Sequence, residues 1–529
     1  MTRLPILAAL LLVGAAPSTL AKVDVVIRGG TIYTGAQTPP MTGQVEIAGD
    51  RIVYVGPARR TAAASVIDAT GKIVAPGLID AHTHPDTYIR SKDAKARLNL
   101  PWLAQGVSTV ITGVDGGGTP DVAADAQTLQ ASGIGTNVVP FVGFGAIRQR
   151  VLGEADRAPN PAELAQEKAL AAKGMCEGAL GLSTGLFYAP QSYATTDEVA
   201  AVAAEAGKRG GLYDTHQRDE SDYTIGLIAS TKEAIEIGQR AHMPVHIAHL
   251  KALGVDLQGH APELIATIEA ARAAGQDVTA DQYPWLASGS SVDASLVPRW
   301  AVAGGYKAML ARFADAPTLA RIKTEMTENL RRRGGAESLL LTSEGVPWTG
   351  RTLAQMATQW HVSPIDAAIR ILETPDAAGT GPSGVGVASF NMADRDVDLI
   401  MKQPWVVTSS DGSDGHPRQY ATMPQKYRVY VQQRKVITPA EFIRRSSGLT
   451  ADIYRIDHRG YLRPGYYADV VVIDPARYAP RADYIHPRVT SVGVTALFVN
   501  GKLALRDSAA TGVAAGRVLL RPRPAGCGA

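Results

Sequence analysis

The apolar positions of this chain change rhythm twice. From Val23 to Pro57 they form short β-branched runs broken by turn residues: Val23 to Arg28 before Gly29-Gly30, Thr31 to Tyr33, Gln44 to Ile47 before Gly49-Asp50, then Arg51 to Val55. Such runs predict strands joined by tight turns. The C-terminal part repeats the pattern with Ala468 to Ile473 and Val494 to Val499, the latter followed by Asn500-Gly501, a strong hairpin signal. The two ends, residues 22–75 and 456–520, are therefore expected to pair into one small β-sandwich, with 521–529 as a flexible Pro/Gly-rich tail.

Between them, short apolar runs alternate with alanine-rich amphipathic segments. The strand candidates are Thr109 to Thr112, Val138 to Val142, Gly181 to Ser183, Leu212 to His216, Val245 to His249, Val278 to Asp281 and Trp405 to Thr408. Pro161 to Ala172, Thr196 to Arg209, Thr231 to Ala241 and Ala261 to Ala274 predict helices. Strand–helix alternation predicts a parallel sheet with crossover helices. With the apolar run before His82 counted, the strands suffice for an α/β fold of the (β/α)8 TIM-like barrel type over residues 76–455. The interval Ser288 to Ile365 carries few strand signals and is expected to be an insertion in one βα loop.

At 529 residues and 45% hydrophobic, the chain is long enough for a large barrel with appended parts. Its net charge of +3 comes from scattered basic residues with no basic block, which argues against nucleic acid as a partner. Arg3, the apolar stretch Leu4 to Ala16 and the small residues of Thr19-Leu20-Ala21 predict a signal peptide over residues 1–21. The stretch is short for a membrane span. The chain is thus expected to be exported, periplasmic or secreted, without stable membrane insertion after cleavage; the alternative is an uncleaved anchor. The two cysteines, Cys176 and Cys527, lie far apart and are free to pair in an oxidising compartment. No CxxC occurs, which excludes a structural zinc held by such thiolates.

The segment Ala75 to Pro85 carries the sharpest chemistry. His82 and His84 close an apolar run two residues apart, and residues so spaced in a strand share a face. Neutral imidazole is a preferred ligand for zinc and similar cations. Further polar residues follow at the ends of other strand candidates: Asp115 in a glycine-rich loop, His216, His249 and Asp411. One histidine at a strand end is more often a satisfied polar group than a ligand. Four, with an acid, at the C-terminal ends of barrel strands point to a metal site. If Val245 to His249 is a strand throughout, His249 faces the site and His246 packs against the helices. His416 follows Asp411 near the expected mouth of the site and receives no role; His242, His260, His361, His458 and His486 fit solvated surface.

With these residues in view, the chain resembles the D-aminoacylase (N-acyl-D-amino-acid deacylase) group of the amidohydrolase superfamily. The resemblance rests on Pro76 to His84, Gly181 to Tyr188, Thr215 to Glu220, Ile247 to Lys251, Asp281 to Pro284, Ser410 to Gly412 and His416 to Arg418. It implies metal ligands at His82, His84, His216 and His249, a catalytic carboxylate at Asp411, and a substrate-carboxylate clamp of Lys251, Tyr283 and Arg418. In the best-known members a cysteine after the second strand binds metal; the matching position here is Asp115, open between a ligand and a turn or N-cap residue. Gly181 to Thr184 offers no lysine of the kind that bridges two metals elsewhere in the superfamily. The implied cofactor is Zn2+ or another divalent metal, one or two per chain. The implied partner is a small N-acyl amino acid or dipeptide. Phe187, Tyr188 and Trp285 are available as apolar walls or as ordinary core aromatics. The implied activity is hydrolysis of the amide bond of N-acyl-D-amino acids. Alternatives are a cyclic-amide hydrolase of hydantoinase or dihydroorotase type, which the missing lysine and the Thr215 stretch oppose, and a non-catalytic exported binding protein.

Overall fold

The structure, a computed structural model, describes residues 23–379, 381–413 and 415–527. The expected signal peptide lies outside the described residues. The chain is α/β. Its central strands are β1 (Leu78–Asp80), β2 (Val107–Thr112), β3 (Asn137–Pro140, continuing as Val142–Gly143), β4 (Gly181–Gly185), β5 (Leu212–His216), β6 (Val245–Ile247), β7 (Val278–Gln282) and β8 (Val406–Thr408). Each pairs in parallel with the next, from β1·β2 through β7·β8. Ala81 N–H donates to Thr408 O at 3.3 Å, and Asp411 N–H to His82 O at 2.9 Å, so the chain just beyond β1 bonds back to β8 and beyond. Among the described residues the eight strands thus form a closed cycle of hydrogen-bonded neighbours.

The cycle sorts side chains by face. Ile79, Ile111, Val139, Phe141 and Val407, from the successive strands β8, β1, β2 and β3, form one buried cluster with Leu212 of β5 across the cycle, so they meet inside. Leu182, Tyr213, Val245, Ile247, Val278 and Val406 pack instead with Val199, Ile235, Leu264 and Ile268 of the surrounding helices. Strands buried on both faces read as near-continuous apolar runs, which is why the sequence pattern finds them. The helices start where the sequence caps them. Asn160 accepts from Ala162 and Glu163 N–H in a capping box before Pro161–Cys176, and Thr195 caps Thr196–Gly207.

Both chain ends join one nine-stranded sheet among the described residues, with Ile73–Pro76 of the N-terminal part antiparallel to Val470–Ile473 of the C-terminal part. Its strand Ile73–Pro76 runs through Gly77 straight into β1 and ties the sheet to the cycle. The insertion is longer than expected. It carries its own antiparallel sheet, Ala287–Ser291, Gly386–Phe390 and Leu339–Leu341, and its own core around Phe313, Ile322, Met326 and Leu353. Its return strand, Gly386–Phe390, closes it well beyond Ile365; that short half-buried run carries little periodicity of its own.

The tail expected to be flexible is fastened. Arg521 N–H donates to Gly178 O at 2.9 Å, and Cys527 forms a disulfide with Cys176; just ahead of the tail, Val138 N–H donates to Arg517 O and Leu519 N–H to Val138 O. Composition misled here, because a proline-rich segment can still be held by a single backbone bond and a crosslink. The crosslink closes a long loop, with a sequence separation of 351, and such links typically contribute about 2–4 kcal/mol. Cys527→Ser is therefore expected to lower the thermal midpoint by several degrees; an unchanged midpoint would show that the strap holds without it.

A candidate metal centre at the ends of the strands

The C-terminal ends of the cycle bring five predicted strand-end positions to one place. His82 and His84 follow β1, Asp115 follows β2, His216 ends β5, His249 follows β6 and Asp411 follows β8. Asp115 and Asp411 carry positive φ, 53° and 48°, and His249 stands at 34°. Non-glycine residues rarely adopt this region, and such conformations concentrate at functional sites. Here the backbone turns sharply as each strand ends, and the turn aims the side chain across the cycle.

Asp115 is the hub. Its Oδ1 lies 3.3 Å from His82 Nε2, 3.7 Å from His249 Nε2 and 3.9 Å from His216 Nδ1, while Oδ2 lies 3.4 Å from His84 Nε2. Asp115 is a turn residue between Gly113 and Gly116, and its carboxylate faces four imidazoles, which keeps the ligand reading open. The tight loop needs glycine. A Cβ on Gly118 would stand 2.1 Å from Phe141 O, and one on Gly143 2.2 Å from Gly116 O. Asp411 Oδ1 completes the set at 3.3 Å from His84 Nε2 and 3.9 Å from His82 Nε2. Two donor groups result, His82 with His84, Asp115 and Asp411, and Asp115 with His216 and His249. Both ring nitrogens of His82 and Oδ1 of Asp115 are buried without a hydrogen-bond partner among the described residues. Buried polar atoms are nearly always satisfied, and a divalent cation taking nitrogen and oxygen ligands fits these donors.

One expectation needs correction. The strand β6 stops at Ile247, so alternation does not run on to His249. Val245 and Ile247 face the helices, and His246 points inside, bonded to Asp281 Oδ2 at 2.9 Å and Thr279 Oγ1 at 2.8 Å against the Tyr454 ring. His249 reaches the cluster through its left-handed backbone, with its N–H on Asp281 Oδ1 at 2.8 Å.

The predicted clamp residues gather beside the cluster. Arg418 Nη1 lies 2.7 Å from Asp411 Oδ2, and Lys251 Nζ lies 2.6 Å from Glu220 Oε1. The Tyr283 ring is within 5.5 Å of Lys251 Nζ and 5.4 Å of Arg418 Cζ, and its buried hydroxyl has no hydrogen-bond partner among the described residues. Arg418 lies against Gly289, where a Cβ would come within 2.7 Å of Nη2. Phe187 and Tyr188 adjoin the His216 ring, with centroids at 5.5 and 4.8 Å. Trp285 sits apart, against His416 and Tyr484. His416, left without a role, accepts the Arg418 N–H at its Nδ1. Asp80 accepts from Ser410 N–H and Trp102 Nε1 at 2.7 and 2.9 Å, and so fixes the segment leading to Asp411; burial pushes it up to about 7. Glu220 and Asp281 stand in quoted motifs, yet only the folded chain shows what they touch.

The electrostatics follow from the packing. Burial opposes charge on Asp115, but His82, His249 and His84 outweigh it and hold its carboxyl well below the usual range. Burial likewise opposes charge on Asp411, and Arg418 first among its neighbours holds it low. Burial works against the His84 imidazolium, but Asp115 and Asp411 push it up to about 10; His249 also rises to about 10 despite burial and Lys251, through Glu220, Asp411 and Asp115. Burial carries His216 down to about 3. In the metal-free protein His84 and His249 thus hold protons at neutral pH, and a cation must displace them. Zinc uptake at pH 7 is expected to release protons and to tighten as pH rises toward 10. Calorimetry in buffers of differing ionisation enthalpy measures the release; uptake without proton release would contradict it.

The closed cycle of parallel strands, with imidazoles and carboxylates converging at its C-terminal ends, defines an α/β protein built around a candidate metal centre. Residues 65–505 match the amidohydrolase family. A D-aminoacylase of Alcaligenes xylosoxydans xylosoxydans is 30% identical over 525 residues, covering 94% of this chain and 98% of that one. A solved D-aminoacylase, studied for its binuclear metal centre, with one-metal activation and second-metal attenuation, superposes with a TM-score of 0.78 at 29% identity, covering 94% of this chain and all of the other. The N-acyl-D-glutamate deacylase of Bordetella bronchiseptica, solved with zinc and a phosphonate mimic of the tetrahedral intermediate, superposes with a TM-score of 0.79 at 27% identity over the same 94% of this chain and 100% of that one. This chain belongs to the amidohydrolase family.

Proposed function

We propose that this protein is an exported, metal-dependent hydrolase that cleaves the amide bond of N-acyl-D-amino acids, or of dipeptides ending in a D-residue. We read its cycle of strands as a (β/α)8 barrel and the sheet of its two ends as a small β-sandwich. The observation that carries the activity is the convergence of His82, His84, Asp115, His216, His249 and Asp411, with Arg418, Lys251 and Tyr283 alongside. The histidines and Asp115 would hold zinc, one or two ions per chain. A divalent cation there lowers the pKa of water toward neutrality and polarises a carbonyl.

The rest of the chemistry falls to the protein. Asp411, at the edge of the cluster, accepts the proton of the attacking water and passes it to the departing nitrogen. That transfer matters because an amide anion leaves poorly. Arg418 offers paired donors to a carboxylate, Lys251 a point charge and Tyr283 a free hydroxyl, which suits the free carboxylate of the amino-acid half. In the resting structure Arg418 and Lys251 lean on Asp411 and Glu220, so substrate binding exchanges one carboxylate for another. The preference for the D-series follows the relatives' names. The Cys176–Cys527 disulfide suits an oxidising compartment, in line with export. Hydrolysis of paired N-acetyl-D- and N-acetyl-L-amino acids by purified protein tests the reading. Release of free amino acid from the D-series is expected; hydrolysis of the L-series alone, or ring opening of cyclic amides alone, would overturn it.

A further inference from the structure

Behind two of the inward-facing histidines lies a carboxylate to which the proposed chemistry gives no part beyond holding Lys251. Glu220 is 3% exposed. Its Oε1 lies 3.0 Å from His249 Nδ1 and 2.6 Å from Lys251 Nζ, and its Oε2 lies 3.7 Å from His216 Nε2. The opposite nitrogens of those rings, His249 Nε2 and His216 Nδ1, are 2.9 Å apart and face Asp115 Oδ1. One carboxylate therefore stands behind both rings, on the side away from the centre, within hydrogen-bond distance of His249 but not of His216, whose Nε2 has no hydrogen-bond partner among the described residues.

A neutral imidazole carries a single proton, and the nitrogen that keeps it is set by the acceptor beside it. A ligating ring needs its lone pair on the inner nitrogen, so the outer one must donate. For His249 the outer neighbours compete. Glu220 accepts, whereas the Lys251 ammonium, 2.8 Å from the same Nδ1, can only donate. Without Glu220, Lys251 would take Nδ1 as its acceptor and drive the proton onto Nε2, the nitrogen that faces the centre. Lys251 is itself held by Glu220 and by His249 O at 3.0 Å.

We propose that Glu220 is a positioning residue: it fixes the proton of His249 on Nδ1, so that the inner nitrogen Nε2 faces the centre as an acceptor, and it keeps the Lys251 ammonium from reversing that arrangement. The proposal rests on the reading of the cluster as a metal centre. It makes Glu220 the link between His249 and the cation expected to meet the substrate's carboxylate.

Zinc affinity of the full-length protein, measured by competition with a chelator after checking the thermal midpoint, tests it without reference to turnover. Loss of an outer partner of this kind typically costs ~10–100-fold in metal affinity. Glu220→Gln is expected to weaken zinc by about that factor, and adding Lys251→Met to it should restore most of the loss, because the competing donor is gone. Zinc binding by Glu220→Gln equal to that of the parent would overturn the proposal. So would a double variant as weak as Glu220→Gln alone, which would mark a purely structural role. If Glu220→Gln does not fold, Lys251→Met alone decides: unchanged or tighter zinc binding is expected, and weaker binding contradicts the competition. A parent protein that takes up no zinc would instead remove the metal-centre reading itself.

Discussion

Asp411→Asn is expected to lower turnover of an N-acetyl-D-amino acid by ~10²–10⁴-fold, the usual worth of a positioned acid–base group, while leaving fold and metal content in place. The substitution is nearly isosteric. Asparagine tolerates the left-handed backbone that Asp411 adopts at φ 48°, and the bond from its N–H to His82 O at 2.9 Å needs no side chain. What is lost is the ability to take a proton from water and return it to the leaving nitrogen. The Arg418 guanidinium, now facing an amide, also loses its ion pair at 2.7 Å. Single-turnover kinetics, metal analysis and circular dichroism on one preparation separate these effects. Near-normal turnover would take Asp411 out of the mechanism; loss of metal along with activity would make it a ligand first.

The second large effect is expected at Arg418. Truncating one member of a buried, hydrogen-bonded charge pair costs about 2–5 kcal/mol, so Arg418→Ala should raise KM for N-acyl amino acids by ~10²-fold or more. The same change on a substrate with its carboxylate amidated should be far smaller. Arg418 is 2% exposed and holds Asp411 as well as Ser413 Oγ, at 3.1 Å, so some fall in kcat is expected on both substrates. The discriminating quantity is the ratio between them. Equal losses in KM for free acid and amide would remove Arg418 from carboxylate recognition and leave it as a partner of Asp411.

Much of this site was legible because ligand-type residues stand where strands end. His82, His84, His216 and Asp411 were readable from position alone, since an apolar run that stops at a histidine or aspartate marks the mouth of a parallel sheet. Asp115 was readable as a candidate but not as the hub, because a glycine-rich turn gives no direction to the side chain it carries. His249 shows where periodicity fails. The strand ends at Ile247, and positive φ re-aims the next polar residue, so counting by twos assigned the wrong face to His246. Glu220 stands in a motif that carries the resemblance, but its contacts were unreadable for a different reason. It stands four residues past His216 in a loop, and its partners His249 and Lys251 come from the end of the next strand. The tail from residue 521 reads as flexible by composition, because proline and glycine counts do not reveal that Arg521 meets Gly178 and that Cys527 bonds to Cys176.

We propose that imidazoles and carboxylates at the ends of these strands hold a cation needed for amide hydrolysis. Metal analysis coupled to activity after chelation tests it most directly. At least one equivalent of a divalent metal is expected, with loss of hydrolysis of N-acetyl-D-amino acids on its removal, recovery on adding zinc, and no recovery in a His216→Ala, His249→Ala double variant that remains folded. Full hydrolysis by metal-free protein would contradict it.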